Sequence, residues 1–230
     1  MKSRALRCLL LVAAGLAAPG CARLPAEDAE GSPAARIARS GVAAVSDLGG
    51  AFRGSAAAVA PDLLVTSAHV VGAVASLGLR RGDGQVETLA VVVQRLEGAD
   101  LVLLRAEAPV FAAPECLGAA PARDQPVWAV GMPPLGPAVA AGRVLRISAR
   151  IEGLGTGFTA RLPAMIGHSG GPVVDREGCL VGITTALLSP GPATLVGALA
   201  GADLAGLLGG QGREVFALGL PMVAALLSGR

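Results

Sequence analysis

The sequence predicts an all-β fold, a sandwich or barrel of short strands, and three observations carry that prediction. Apolar runs, mostly four to eight residues long, recur from position 41 onward. Many contain Val, Ile or Thr, whose branched side chains suit a pleated surface. Gly, Pro and Asp punctuate them as turn residues do. In chain order, 55–60 and 63–66 read as two strands of a hairpin closed by Pro61-Asp62. Residues 88–94 form the next run, and Asp100 opens another at 101–105. Runs at 127–130 and 143–147 follow, and Arg176-Glu177-Gly178 reads as a turn between 172–174 and 180–184. The stretch 187–212 is Gly, Ala and Leu without alternation and reads as a long loop with a helical turn or two. Residues 221–227 read as a short closing helix.

Hydrophobic residues make up 53% of the 230 residues but aromatics only 2%, so the core must be built from Val, Leu, Ile and Ala. The length suits one domain of about 200 residues or two small ones packed together. Formal charge is +2, and Lys2, Arg4 and Arg7 all lie in the opening segment, which leaves the remainder near neutral. Such a chain has no strong field for nucleic acid or an acidic membrane. Arg80 and Arg81, the only adjacent basic pair, read as a solvated loop.

Residues 1–20 read as a signal peptide: a basic start, an apolar run from Cys8 to Ala18, and a small-residue exit at Ala17-Ala18-Pro19-Gly20. The run is too short for a membrane span, which takes about 20 residues. Cys21 stands where bacterial lipoproteins carry their lipid-modified cysteine, although Ala18 replaces the usual leucine and Pro19 is unusual there. Lipidation of Cys21 and plain cleavage nearby are the two outcomes. Residues 21–40, with Pro25, Glu27, Asp28, Glu30 and Pro33, suit a tether, and 41–230 form the folded domain. The expected location is periplasmic or cell-envelope, with lipid on Cys21 as the membrane attachment. Cys116 and Cys179 then remain, as a disulfide in an oxidising compartment or as two buried thiols.

Three elements carry chemistry. His69, one of only two histidines, follows the apolar run in Val65-Thr66-Ser67-Ala68-His69-Val70-Val71. Asp100 precedes Leu101-Val102-Leu103-Leu104, and Ser169 lies in Gly167-His168-Ser169-Gly170-Gly171-Pro172. A serine hydroxyl is a weak nucleophile that needs an imidazole to take its proton and a carboxylate to orient that imidazole. The developing oxyanion needs fixed N–H donors, and glycines let the backbone aim them inward. The backbone N–H groups of Gly167 and Ser169 are the natural pair.

The order His69, Asp100, Ser169 with these surroundings resembles the trypsin-like serine proteases, and most closely the HtrA/Deg branch. The resemblance runs from about position 54 to the end. It includes residues 54–71 with Thr66-Ser67-Ala68-His69-Val70-Val71, residues 100–104, Val130-Gly131-Met132-Pro133, residues 167–174, Gly182-Ile183, and Phe216-Ala217-Leu218-Gly219-Leu220-Pro221. It implies two six-stranded antiparallel β-barrels, about 41–112 and 113–230, with the triad between them. It also implies His69 Nε2 near Ser169 Oγ, Asp100 facing His69 Nδ1, and a polypeptide substrate. By the same resemblance, 163–166 and 184–187 line the specificity pocket, with Met165, Ile166, Thr185 and Ala186 foremost. They offer no acid for Lys or Arg, which favours a small or aliphatic substrate side chain. His168 departs from the family, which carries Asn or Asp there, and reads as a lining or hydrogen-bonding residue. The chain closes soon after Pro221, so no PDZ domain is expected.

Rival readings fare worse. Gly167-His168-Ser169-Gly170-Gly171 fits the α/β-hydrolase nucleophile elbow, but no histidine follows position 168 to complete that triad. The alternative from another class is a non-catalytic lipoprotein of protease fold that binds or scaffolds. Two histidines and scattered cysteines give no zinc spacing, and Gly153-Leu154-Gly155-Thr156-Gly157 lacks the dinucleotide fingerprint and reads as a loop near the active site. No metal or other cofactor is expected.

Overall fold

The structure is a computed structural model that describes residues 32–164, 166–188 and 212–229. The signal peptide 1–20, Cys21, Met165 and nearly all of the loop at 187–212 lie outside the described residues.

Two closed six-stranded antiparallel barrels make up the fold. The first contains β1 (Val42–Ser46), β2 (Phe52–Ala60), β3 (Leu63–Thr66), β4 (Ser76–Arg81), β5 (Glu87–Arg95) and β6 (Val102–Ala106). Around that barrel the order is β1-β2-β3-β6-β5-β4. The second contains β7 (Pro126–Gly131), β8 (Ala138–Ile151), β9 (Gly155–Leu162), β10 (Pro172–Val174), β11 (Leu180–Leu187) and β12 (Arg213–Gly219). Its order is β10-β11-β12-β9-β8-β7. Closure leaves no unpaired sheet edge, the usual solution for many short strands.

The apolar runs explain how the barrels meet. Side chains alternate across a strand, so an unbroken apolar strand must be buried on both faces. In β3, Leu64 points into the first barrel, while Leu63 and Val65 point out. In β6, Val102 and Leu104 point in and Leu103 points out, alongside Leu101 just before the strand. The outward set packs against Leu180, Ile183, Phe216 and Leu218 of the second barrel. Val223 and Leu226, from the closing helix Leu220–Ser228, complete this inter-barrel core. Aromatics are few, so small side chains do much of the filling, as with Ala43, Ala56, Ala58 and Ala90 inside the first barrel.

Two expectations are corrected. The tether does not extend to residue 40, because Pro33–Ser40 form a helix, α1. Ser32 caps it by accepting the Ala35 N–H at 3.1 Å, and Pro33 takes the first turn, where its missing N–H costs nothing. Ala34 and Ala38, one turn apart, are buried against Val42, Trp128, Val130 and Val174. The basic pair is not a loop either. Arg80 and Arg81 end β4, and Arg81 donates to both oxygens of Asp83 and to the carbonyl of Val110. Those hydrogen bonds hold the Asp83 carboxyl below its usual pKa.

Cys116 and Cys179 are joined by a disulfide across 63 residues of sequence, with Cα atoms 4.7 Å apart. The bond ties the segment between the barrels to the turn before β11. Leu180 N–H donates to Cys116 O at 3.0 Å, and Gly118 N–H donates to Leu180 O at 2.8 Å. Cross-linking so long a loop restricts the unfolded chain, so replacing both cysteines with serine should lower stability by about 2–4 kcal/mol. Urea unfolding of the double variant checks this, and an unchanged midpoint would refute it.

Candidate active site

His69 sits in α2 (Ala68–Val71), a single helical turn entered directly from β3 and ended by Gly72 at φ +63°. Asp100 follows the turn at Gly98 (φ +71°) that leads into β6. Its own N–H donates to Leu154 O at 3.0 Å, a residue of the β8–β9 turn. The second barrel thus holds the backbone of the carboxylate that the first barrel supplies.

The Asp100 carboxylate is buried, and both of its oxygens serve His69. Oδ1 accepts the His69 backbone N–H at 2.8 Å, and Oδ2 lies 2.7 Å from Nδ1. An ionised carboxylate only accepts hydrogen bonds, so the Nδ1 position carries the proton, and in the neutral imidazole Nε2 then keeps its lone pair. The His69 ring is half exposed, so Nε2 is open to an incoming group.

Ser169 lies in the loop between β9 and β10, where three glycines are indispensable. Gly167 and Gly170 take φ of +105° and +85°. At Gly171 a Cβ would lie 2.0 Å from Val130 O. Gly170 N–H donates to Thr184 O at 2.7 Å, and Gly171 N–H donates to His168 O at 2.9 Å. The N–H groups of Gly167 and Ser169 make no hydrogen bond among the described residues. Ser169 Oγ donates to Thr185 O at 3.4 Å, a long bond, and among the described residues none joins Ser169 to His69.

His168 is buried, with its Cα and ring against Gly131, where a Cβ would come within 2.8 Å. It also lines a cavity of about 200 Å³ beside Ser169, together with Ala164, Ile166, Thr184, Thr185 and Ala186. Among the described residues no Asp, Glu, Lys or Arg lines that cavity. A larger groove of about 650 Å³ lies on the outside of the first barrel, past Phe52, Leu79 and Leu89, and touches none of the three chemistry-bearing side chains. Among the described residues no group of three His, Cys, Asp or Glu side chains is arranged to hold a metal.

Sequence reasoning missed Ser55, and it placed Leu154 near the site without its bond to the Asp100 N–H. Ser55, fully buried in β2, donates from Oγ to Gly167 O at 2.5 Å and accepts Met132 N–H at 2.7 Å. Its N–H donates to Ser169 O at 2.8 Å. No local signal marks these partners, which lie 77 and more positions away along the chain.

The family profile for the trypsin-like peptidase domain matches residues 54–183, more than half of the chain. The chain belongs to the trypsin-like peptidase family. Solved structures of similar fold include the active form of the Rv3671c protease from M. tuberculosis. That match has 21% identity and a TM-score of 0.66, over 86% of this chain and 83% of that one. The apo MamO protease domain from Magnetospirillum magneticum has 22% identity and a TM-score of 0.61, over 82% and 96%. The HtrA-type protease AlgW, solved with a tripeptide, has 25% identity and a TM-score of 0.67. That match covers 89% of this chain and 63% of AlgW, so the trypsin-like chain described here spans less than two thirds of AlgW. No curated protein sequence matches the chain. Membership of the family makes the two-barrel frame that of a serine protease, with the pair His69–Asp100 on the first barrel and Ser169 on the second.

Proposed function

We propose that the chain is a serine endopeptidase in which Ser169 Oγ attacks the peptide carbonyl. In this reading His69 Nε2 takes the hydroxyl proton and later returns it to the leaving amine, while the acyl group stays on Ser169 until water removes it. The oxyanion is received by the N–H groups of Gly167 and Ser169, which have no competing acceptor among the described residues. The observation that carries the proposal is the Asp100 carboxylate with both oxygens on His69, which leaves Nε2 ready to accept a proton.

The small uncharged cavity beside Ser169 supports a preference for small or aliphatic side chains before the cut bond. A charged side chain there would lose its hydration without gaining a partner. The disulfide and the character of residues 1–21 support export, with lipid on Cys21 as the anchor. Among the described residues no helix is long and apolar enough to cross a membrane.

Casein cleavage by the wild type and by Ser169→Ala tests the activity. The substitution should lower the rate by roughly 10⁶, as loss of a triad nucleophile does. It should also abolish labelling by a fluorophosphonate. A wild type that neither cleaves nor labels would leave the binding reading in its place.

A further inference from the structure

We propose that Ser55 is a positioning residue that sets the angle between the two oxyanion donors. The proposal rests on the reading of Ser169 as nucleophile. The two donors, Gly167 N–H and Ser169 N–H, are separated by one peptide group, the one joining Gly167 to His168. Its orientation decides whether both N–H vectors converge on one point. Gly167 has no Cβ to restrict that peptide from its own side and sits at φ +105°, so the glycine's sterics alone do not set the peptide's orientation.

The Ser55 hydroxyl holds this peptide by its oxygen, bonded to Gly167 O at 2.5 Å. The proton's direction follows from the partners. Met132 N–H occupies a lone pair of Ser55 Oγ at 2.7 Å, and the acceptor-only carbonyl of Gly167 takes the hydroxyl proton. On the far side of the second donor, Ser55 N–H holds Ser169 O at 2.8 Å. The same residue thus clamps the peptide before and the peptide after the Ser169 N–H.

Ser55 is itself fixed from the side that carries His69. Its carbonyl accepts the Thr66 hydroxyl at 2.6 Å, and Thr66 ends β3, the strand leading into the turn that bears His69. One buried serine of the first barrel therefore links the base to the oxyanion loop of the second. Transition-state stabilisation by fixed donors depends on their direction as much as their presence, so this linkage should act on turnover more than on substrate binding.

The test uses the full chain with a peptide ester or casein, fluorophosphonate labelling, and thermal unfolding of each variant. Ser55→Ala should lower kcat by about 10²-fold, the scale of losing one oxyanion donor, with KM within about three-fold of wild type. Ser55→Cys, similar in shape but a weaker donor, should fall between the two in kcat and in labelling rate. A folded Ser55→Ala protein with kcat within about two-fold of wild type would overturn the assignment. If Ser55→Ala does not fold, Ser55→Cys decides. A drop of about ten-fold or more in kcat at an unchanged unfolding midpoint supports the clamp, and wild-type kcat overturns it. A wild-type chain that fluorophosphonate does not label removes the Ser169 reading, and the Ser55 assignment falls with it.

Discussion

Asp100→Asn should reduce kcat by about 10⁴ while leaving the fold intact. The reason lies in how the two carboxylate oxygens are committed. Oδ1 accepts the His69 backbone N–H at 2.8 Å, a donor with no freedom to turn away. An asparagine must keep its carbonyl oxygen on that N–H, and its NH₂ group then faces the Nδ1 position at 2.7 Å. Two donors cannot face each other, so Nδ1 becomes the acceptor and the ring proton moves to Nε2. A protonated Nε2 cannot take the proton of Ser169. Steady-state rates and fluorophosphonate labelling of Asp100→Asn, with thermal unfolding as the control, check this. A variant within about ten-fold of wild type would show that Asp100 does not set the tautomer.

Gly170→Ala should cost the protein both stability and activity through a single methyl group. A Cβ there would lie 2.1 Å from Ser55 O and 2.2 Å from Thr66 Oγ1, and Gly170 sits at φ +85°. Neither neighbour can yield cheaply. Ser55 O belongs to the backbone of β2, and Thr66 Oγ1 is bonded to it at 2.6 Å. The loop is pinned on its other side by Gly170 N–H to Thr184 O at 2.7 Å. The expected cost is roughly 2–5 kcal/mol from overpacking and left-handed backbone together. Relief by movement of the loop shifts Ser169 relative to His69, and a displacement near 1 Å costs about 10² in rate. Gly50 is the matched control, with the same φ of +85° and nothing within 4 Å of the point where its methyl would stand. Gly50→Ala should lose only the backbone share, about 1–2 kcal/mol, and keep full activity. Unfolding and labelling of the two variants side by side check the difference, and equal effects would refute the steric account.

Most strands were legible as short apolar runs, but β1, β4 and β9 were not read as strands. Leu63-Leu64-Val65 and Leu101-Val102-Leu103-Leu104 have no polar face, so strands there had to be covered on both sides. The turn at Pro61-Asp62 and the closing helix were legible from local chemistry. Helix α1 was not, since its buried residues are the alanines 34 and 38, and alanine carries too little apolar surface to mark a face. Arg81 was misplaced for a related reason. Its partners, Asp83 and the Val110 carbonyl, make a strand end habitable for a cation, and only the second is distant in sequence.

At the site, the sequence identified the residue types and the loop. His69, Asp100 and the glycines flanking Ser169 stand out because few other residues serve that chemistry. The meeting of His69 with Asp100 at 2.7 Å, the burial of His168 against Gly131 and the clamp from Ser55 are products of tertiary structure. Hydrogen bonds are short and directional, and these join positions 31 to 114 residues apart. Hydrophobic periodicity and turn propensity act over a few residues, so the sequence alone determined which segments become strands and which side chains can do chemistry. Which face meets which, and where each donor points, was decided only when two closed barrels packed around a shared core, because that packing fixes directions that no local preference encodes.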